Sequence, residues 1–136
     1  MPNRADRVPS TSQRVALPLI LSAGPAAAAA STERACAVIT RPSKVLECHV
    51  FPSSDIVLNG GDPSVITLQV GATVIGTASN QAAGITAAAG VALTLDAAQV
   101  SVADGAVLKL VVTNPGGGAV NLSTVDFFGT ATVSPV

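Results

Sequence analysis

From residue 34 onward, apolar and polar positions alternate with a period of two in short runs, the pattern of strands with one face in a core and the other in water. "RACAVIT" (34–40) and "KVLECHVF" (44–51) flank "RPS", a turn by its Pro and Ser, and together read as a hairpin. "DIVL" (55–58) runs into "NGGDPS", a loop. "SVITLQV" (64–70) sets Ile66, Leu68 and Val70 on one face. Gly71–Ala72 then fits a two-residue hairpin turn with Gly at its first central position, and "TVIGTAS" (73–79) returns to bring Ile75 near Leu68. "NQAAGITAAAG" (80–90) reads as a loop with one short strand, and "VALTLD" (91–96) puts Val91, Leu93 and Leu95 on one face. "AVLKLVVTN" (106–114) turns Leu108, Leu110 and Val112 one way and Val107, Lys109 and Val111 the other. After "NPGGG" (114–118), the strongest turn in the chain, "AVNLSTVDFFGTATV" (119–133) changes phase. Val120 and Leu122 share one face, then Val125, Phe127, Ala131 and Val133 the other, which predicts a β-bulge near Ser123–Thr124. Roughly eight short strands with turns about every 8–12 residues predict an all-β fold, an antiparallel β-sandwich of jelly-roll-like form.

Residues 1–33 do not share this alternation. Pro2, Pro9, Pro18 and Pro25 forbid a long helix and discourage a central strand. "PAAAAASTERA" suits a short helix, with Pro25 at the first helical position and Ala propagating it. The division that follows is an extended Pro/Ala-rich N-terminal arm, 1–33, and a sandwich body, 34–136. The same segment has the outline of a signal peptide: Arg4, Arg7 and Arg14 lead, "VALPLIL" is apolar, and "AAAAAS" offers an Ala-x-Ala cleavage site. Pro18 inside the apolar run, and the shortness of that run, favour a retained arm ordered by a surface it touches. No run approaches the ~20 apolar residues of a membrane span.

Composition sharpens the core. The chain of 136 residues has no Trp, no Tyr and three Phe, so Val, Ile, Leu and Ala must fill it. Such a core lacks bulky anchors, and association is a way to bury more apolar surface. Net charge is −1 but unevenly spread. Residues 1–44 hold six basic groups against two acidic ones, and residues 45–136 one basic group against six acidic ones. A basic arm on an acidic body predicts that the arm meets a negative surface and the body meets solvent.

Candidate chemistry is thin. His49 is the only His, and strand geometry turns it away from the adjacent Cys48, so no nucleophile–base pair forms there. A three-residue loop would set Cys36 opposite Cys48, within disulfide reach, but assembly in cytosol favours two reduced thiols. Two Cys and one His make a poor zinc set. Asp55, Asp62, Asp96 and Asp104 fall at turns, where Asp bonds nearby backbone N–H groups, and they do not form a calcium loop. We therefore expect no catalytic residues, no metal and no cofactor. Nucleic acid is not expected as a partner, for want of aromatic stacking in a basic groove. A lectin-like role is disfavoured because sugar recognition usually stacks Trp or Tyr on the ring.

The half from "SVITLQVGATVIGTAS" through "VSVADGAVLKLVVTNPGGGAVNLSTVDFFGTATV" resembles the capsid decoration (cement) and head-fibre proteins of tailed bacteriophages. The likeness lies in an Ala/Gly/Thr-rich strand pattern: the turn Ala103–Asp104–Gly105, the strand Leu108–Val112, the Gly-rich turn Asn114–Gly118, then a closing aliphatic and aromatic strand. It covers about 75 of the 136 residues and transfers no functional residue onto a numbered position. The resemblance implies a non-enzymatic β-sandwich on the outer surface of a virion assembled in host cytoplasm. It implies the major capsid protein as partner and a homo-oligomer, a trimer, with no nucleic acid and no membrane. The arm would then supply capsid-docking contacts through Arg4, Arg7, Arg14, Leu17, Leu19, Ile20 and Leu21. Two other readings are a secreted bacterial sandwich with a cleaved leader and a head-fibre or tail adaptor of the same virion.

Overall fold

A computed structural model describes residues 14–115 and 121–136. The fold is an antiparallel β-sandwich, two five-stranded sheets packed face to face. One sheet carries β1 (Val15–Leu21), β10 (Phe127–Pro135), β3 (Ser43–Pro52) and β6 (Val91–Ala92) in that order, with β8 (Ser101–Val102) also paired to β3. The other carries β2 (Ser31–Val38), β9 (Val107–Thr113), β4 (Val65–Val70), β5 (Thr73–Ser79) and β7 (Thr94–Leu95). We call them the first and second sheets. The chain changes sheet at every connection except the β4–β5 hairpin.

The core follows from the alternation. From the first sheet, Leu19, Leu21, Val45, Cys48, Val50, Phe127, Ala131 and Val133 point inward and are buried. They meet Ile66, Leu68, Ile75, Leu108, Leu110 and Val112 from the second. Phe127 is the largest fully buried side chain, and its burial stabilises the fold by about 1.5–3 kcal/mol. The β4–β5 hairpin forms as its turn chemistry requires, with Gly71 at φ 59°. Register shifts there, and Ile75, the extra residue, is buried beside the Leu68–Gly76 pair.

Three expectations fail, each for a tertiary reason. Residues 15–21 are not part of an arm outside the body: they pair along their whole length with β10, from Val15 opposite Val133 to Leu21 opposite Phe127. Among the described residues the sandwich therefore begins at Val15 and not at residue 34. The Ala run is not helical. The Asn114 side chain donates to the carbonyls of Pro25 (2.8 Å) and Ala27 (2.9 Å), and Ala29 N–H donates to Pro115 O, stapling the β1–β2 connection to the end of β9. Residues 34–40 and 44–51 are not a hairpin, because β2 and β3 lie in different sheets; Cys36 and Cys48 are not cross-strand neighbours, and both thiols are free. The segment 91–96 keeps its predicted face, with Leu93 buried and Val91 and Leu95 packed against the core, although it is split between β6 in one sheet and β7 in the other.

The phase change before Phe127 also has a different cause. Asn121–Asp126 forms a connector closed by a Val125 N–H to Leu122 O bond, and the strand starts only at Phe127. The register shift of this last strand lies between Thr132 and Val133. Gly116–Val120, within and after the Gly-rich turn, lie outside the described residues.

Candidate docking face

The alternation that fills the core also sorts the outward face of the first sheet. Its outer side chains run Ala16, Pro18 and Ile20 on β1, Thr132, Thr130 and Phe128 on β10, and Lys44, Glu47, His49 and Phe51 on β3. Cross-strand register places Ile20 opposite Phe128 and Phe128 opposite Phe51, a continuous apolar row over three strands. Ile20 is 57% exposed and Phe128 47%. The Phe51 and Phe128 rings stack at 6.2 Å with planes 17° apart, and His49 lies 4.8 Å from Phe51. The far end of the same face is charged, with Lys44 and Glu47 exposed.

The row is held, not floppy. His49 Nε2–H donates to the Ala89 carbonyl at 2.9 Å, which fixes the tautomer and ties the imidazole to the Thr86–Gly90 loop. Gly90 sits against Phe51, where an added Cβ would come within 2.6 Å of the ring. Beneath the row, Gly129 packs so closely on β3 that a Cβ there would clash with the His49 carbonyl oxygen. These contacts preorganise Phe51 and His49, so little side-chain freedom is lost when something covers them.

The seven residues predicted to dock separate under this geometry. Arg4 and Arg7 lie outside the described residues. Arg14 is exposed just before β1. Leu19 and Leu21, at 0% and 1% exposed, are core residues, and Leu17 is half-buried against the core. They hold the sandwich together and are not free to dock. Ile20 alone of the four apolar positions faces outward, because strand periodicity turns it opposite to its neighbours. The structure adds Phe128, Phe51 and His49, none of which the sequence reading selected. The signal was in the "FF" dipeptide: one member of an adjacent pair in a strand must face out.

The neighbouring strand edges are poor docking sites. β1 and β2 each form one edge of their sheet and lie against each other, with the Cys36 thiol 3.5 Å from the Ile20 carbonyl. Pro18 interrupts the N–H row of β1, and a register shift between Ala35 and Ala37 interrupts β2. Both devices blunt edge-to-edge pairing. On the outer face of the second sheet, Lys109 pairs with Glu33 at 2.9 Å, an exposed ion pair of little energetic weight.

Among the described residues reactive chemistry does not gather elsewhere. Cys48 is buried, and burial, with Cys36 nearby adding to it, pushes its thiol up to about 12. It faces inward while His49 faces out, so the two do not form a catalytic pair. Among the described residues no three His, Cys, Asp or Glu side chains converge to hold a metal, and no helix is long and apolar enough to cross a membrane. Comparison with family models, with curated proteins and with solved structures finds no match for this chain.

Proposed function

We propose that the protein is a virion structural protein, a capsid decoration or cement protein that binds the outer surface of the assembled phage capsid and stabilises it. The outward Ile20–Phe128–Phe51 row carries this reading: two of the three Phe of an aromatic-poor chain are spent on a solvent-facing, preorganised patch. Exposed apolar rows of this kind mark interaction surfaces. Stabilisation works by mass action, since binding only the assembled shell lowers its free energy relative to the disassembled subunits.

Magnitude argues for several copies acting together. Covering the exposed halves of Ile20 and Phe128 is worth about 1 kcal/mol each. Millimolar binding already needs about 4 kcal/mol, so one face alone holds weakly. A trimer presenting three faces to symmetric sites gains by effective concentration without new contacts. The basic N-terminal residues add electrostatic steering toward a negative shell, which salt weakens. The secreted reading is less well supported, because cleavage beside Ser31 would remove β1, with Leu19 and Leu21, from the core.

The test uses the full chain. Sedimentation velocity gives its oligomeric state, and co-sedimentation with empty shells assembled from the major capsid protein gives its affinity. Binding should be lost in Ile20→Ser/Phe128→Ser while the fold is kept. A folded monomer that pellets with no assembled lattice ends the proposal. Intact-mass measurement of the mature protein separates the secreted alternative, which requires a new N-terminus near Ser31.

A further inference from the structure

The loop from Ser53 to Ser64 joins β3 to β4 and faces the Asn121–Val125 connector. Between them lies a cleft of about 420 Å³, within the roughly 300–1,000 Å³ range of sites that enclose small molecules. It lies beyond the Pro52 and Phe127 ends of β3 and β10, where Ser53 N–H donates to Asp126 O and Asp126 N–H to Ser53 Oγ. Nothing in the docking reading uses it.

Its construction is that of a braced site. Buried Asn80 spends both ends of its amide on the walls: Oδ1 accepts from Ser64 N–H at 2.8 Å, and Nδ2 donates to Val57 O at 2.7 Å. Three other polar side chains of the cleft are satisfied on one side only. Asn59 Oδ1 accepts from Asp62 N–H and Asn121 Oδ1 from Ser123 N–H, which leaves each Nδ2 to donate. Asp55 Oδ1 accepts from Ala87 N–H, which leaves Oδ2 to accept. Ser64 is 3% exposed, lines the cleft, and its Oγ has no hydrogen-bond partner. A buried hydroxyl left without a partner is destabilising, and native structures usually satisfy it.

The lining selects a ligand class. Among the described residues no Lys or Arg lines the cleft, so a phosphate or carboxylate would meet Asp55 uncompensated by them. No aromatic ring among those residues lines it either, which removes the stacking a nucleobase needs. What remains is neutral donors and acceptors above an aliphatic wall of Ile56, Leu58 and Leu122. That combination matches hydroxyl groups, which donate and accept, set on a C–H face.

We propose that the cleft between the Ser53–Ser64 loop and the Asn121–Val125 connector binds a neutral saccharide unit, with Ser64, Asp55, Asn59 and Asn121 bonding its hydroxyls. The sequence, with no Trp or Tyr, argued against sugar recognition by ring stacking. Here an aliphatic wall takes the place of a ring, which limits affinity to the millimolar range.

The experiment titrates ¹⁵N-labelled full chain with glucose, galactose, N-acetylglucosamine and lactose, with glucose 6-phosphate as the anionic control. Binding should shift the side-chain amides of Asn59 and Asn121 with at least one neutral sugar, and the phosphate should bind no better. Ser64→Ala and Asp55→Asn should each weaken binding, Ser64→Ala by about tenfold for one lost hydrogen bond. Ser64→Ala removes an unpartnered buried hydroxyl, so thermal stability should hold or rise, which separates lost binding from lost folding. Silence at the cleft with all four sugars, shifts confined to the Phe51–Phe128 face, equal binding by both variants, or tighter binding of the phosphate each overturns the proposal. None of these outcomes bears on capsid docking, which is read by co-sedimentation.

Discussion

Adjacent residues of β1 should respond to truncation in opposite ways, and Leu19 against Ile20 is the sharpest pair. Leu19 is fully buried and sits opposite Gly129 on β10, which has no side chain to move into the vacated space. Val50 on β3 lies beyond Gly129 in the same row and is itself held in the core. A cavity at Leu19→Ala therefore cannot collapse, and the cost belongs in the upper part of the roughly 2–5 kcal/mol range for such truncations. Ile20 faces water, and Ile20→Ala should change stability by no more than about 0.5 kcal/mol. Total stability of a domain this size is only about 5–15 kcal/mol, so Leu19→Ala/Leu21→Ala together should leave little folded protein. The chain has no Trp or Tyr, which leaves only weak Phe emission; urea unfolding followed by far-UV circular dichroism reads the midpoints. The single variant Leu19→Ala should melt roughly 10 °C or more below the parent. If Leu19→Ala and Ile20→Ala gave equal, small shifts, residues 15–21 would be an appended arm after all and the placement of β1 would be wrong.

Other outcomes follow from the same packing. Gly129→Ala forces a Cβ onto the His49 carbonyl, backbone that no rotamer change can clear; it should cost about 3 kcal/mol or more, measured by the same unfolding curve. Cys48 should resist iodoacetamide in the folded protein at mildly alkaline pH and react once urea unfolds it, while half-buried Cys36 labels first; peptide mass mapping distinguishes them. Because folding raises the Cys48 thiol from 9.0 to about 12, the unfolded chain releases that proton first as pH climbs. Stability from this group is intact below pH 9 and is lost progressively toward about 12, so the urea midpoint should fall across that window, and Cys48→Ala should flatten the fall. Glu33→Gln should barely move the midpoint, since the Lys109 pair is exposed.

Much of the body was legible because a strand with one buried face writes its orientation into the chain. The alternation of 106–114 placed Leu108, Leu110 and Val112 in the core, where they are. Gly71–Ala72 marked the β4–β5 hairpin through local turn chemistry alone. The candidate docking face was only half legible. Ile20 was selected, but together with Leu17, Leu19 and Leu21, as though "VALPLIL" had one role. Read with a period of two it has two roles, and Pro18 obscured this by discouraging a strand that the edge position tolerates. Phe128, Phe51 and His49 could not be joined from sequence, because they are neighbours only through the β10–β3 register.

By itself the sequence determined local things: which runs extend, where turns fall, and which residues of a strand share a side. Those depend on backbone sterics and side-chain periodicity within a few residues. Tertiary structure decided which sheet each strand joins, that β1 closes the first sheet, and that two segments far apart in the chain, one carrying Asn59 and the other Asn121, frame one cleft. These depend on contacts between distant residues, whose free energy is shared among many partners and so leaves no mark on any short stretch of sequence.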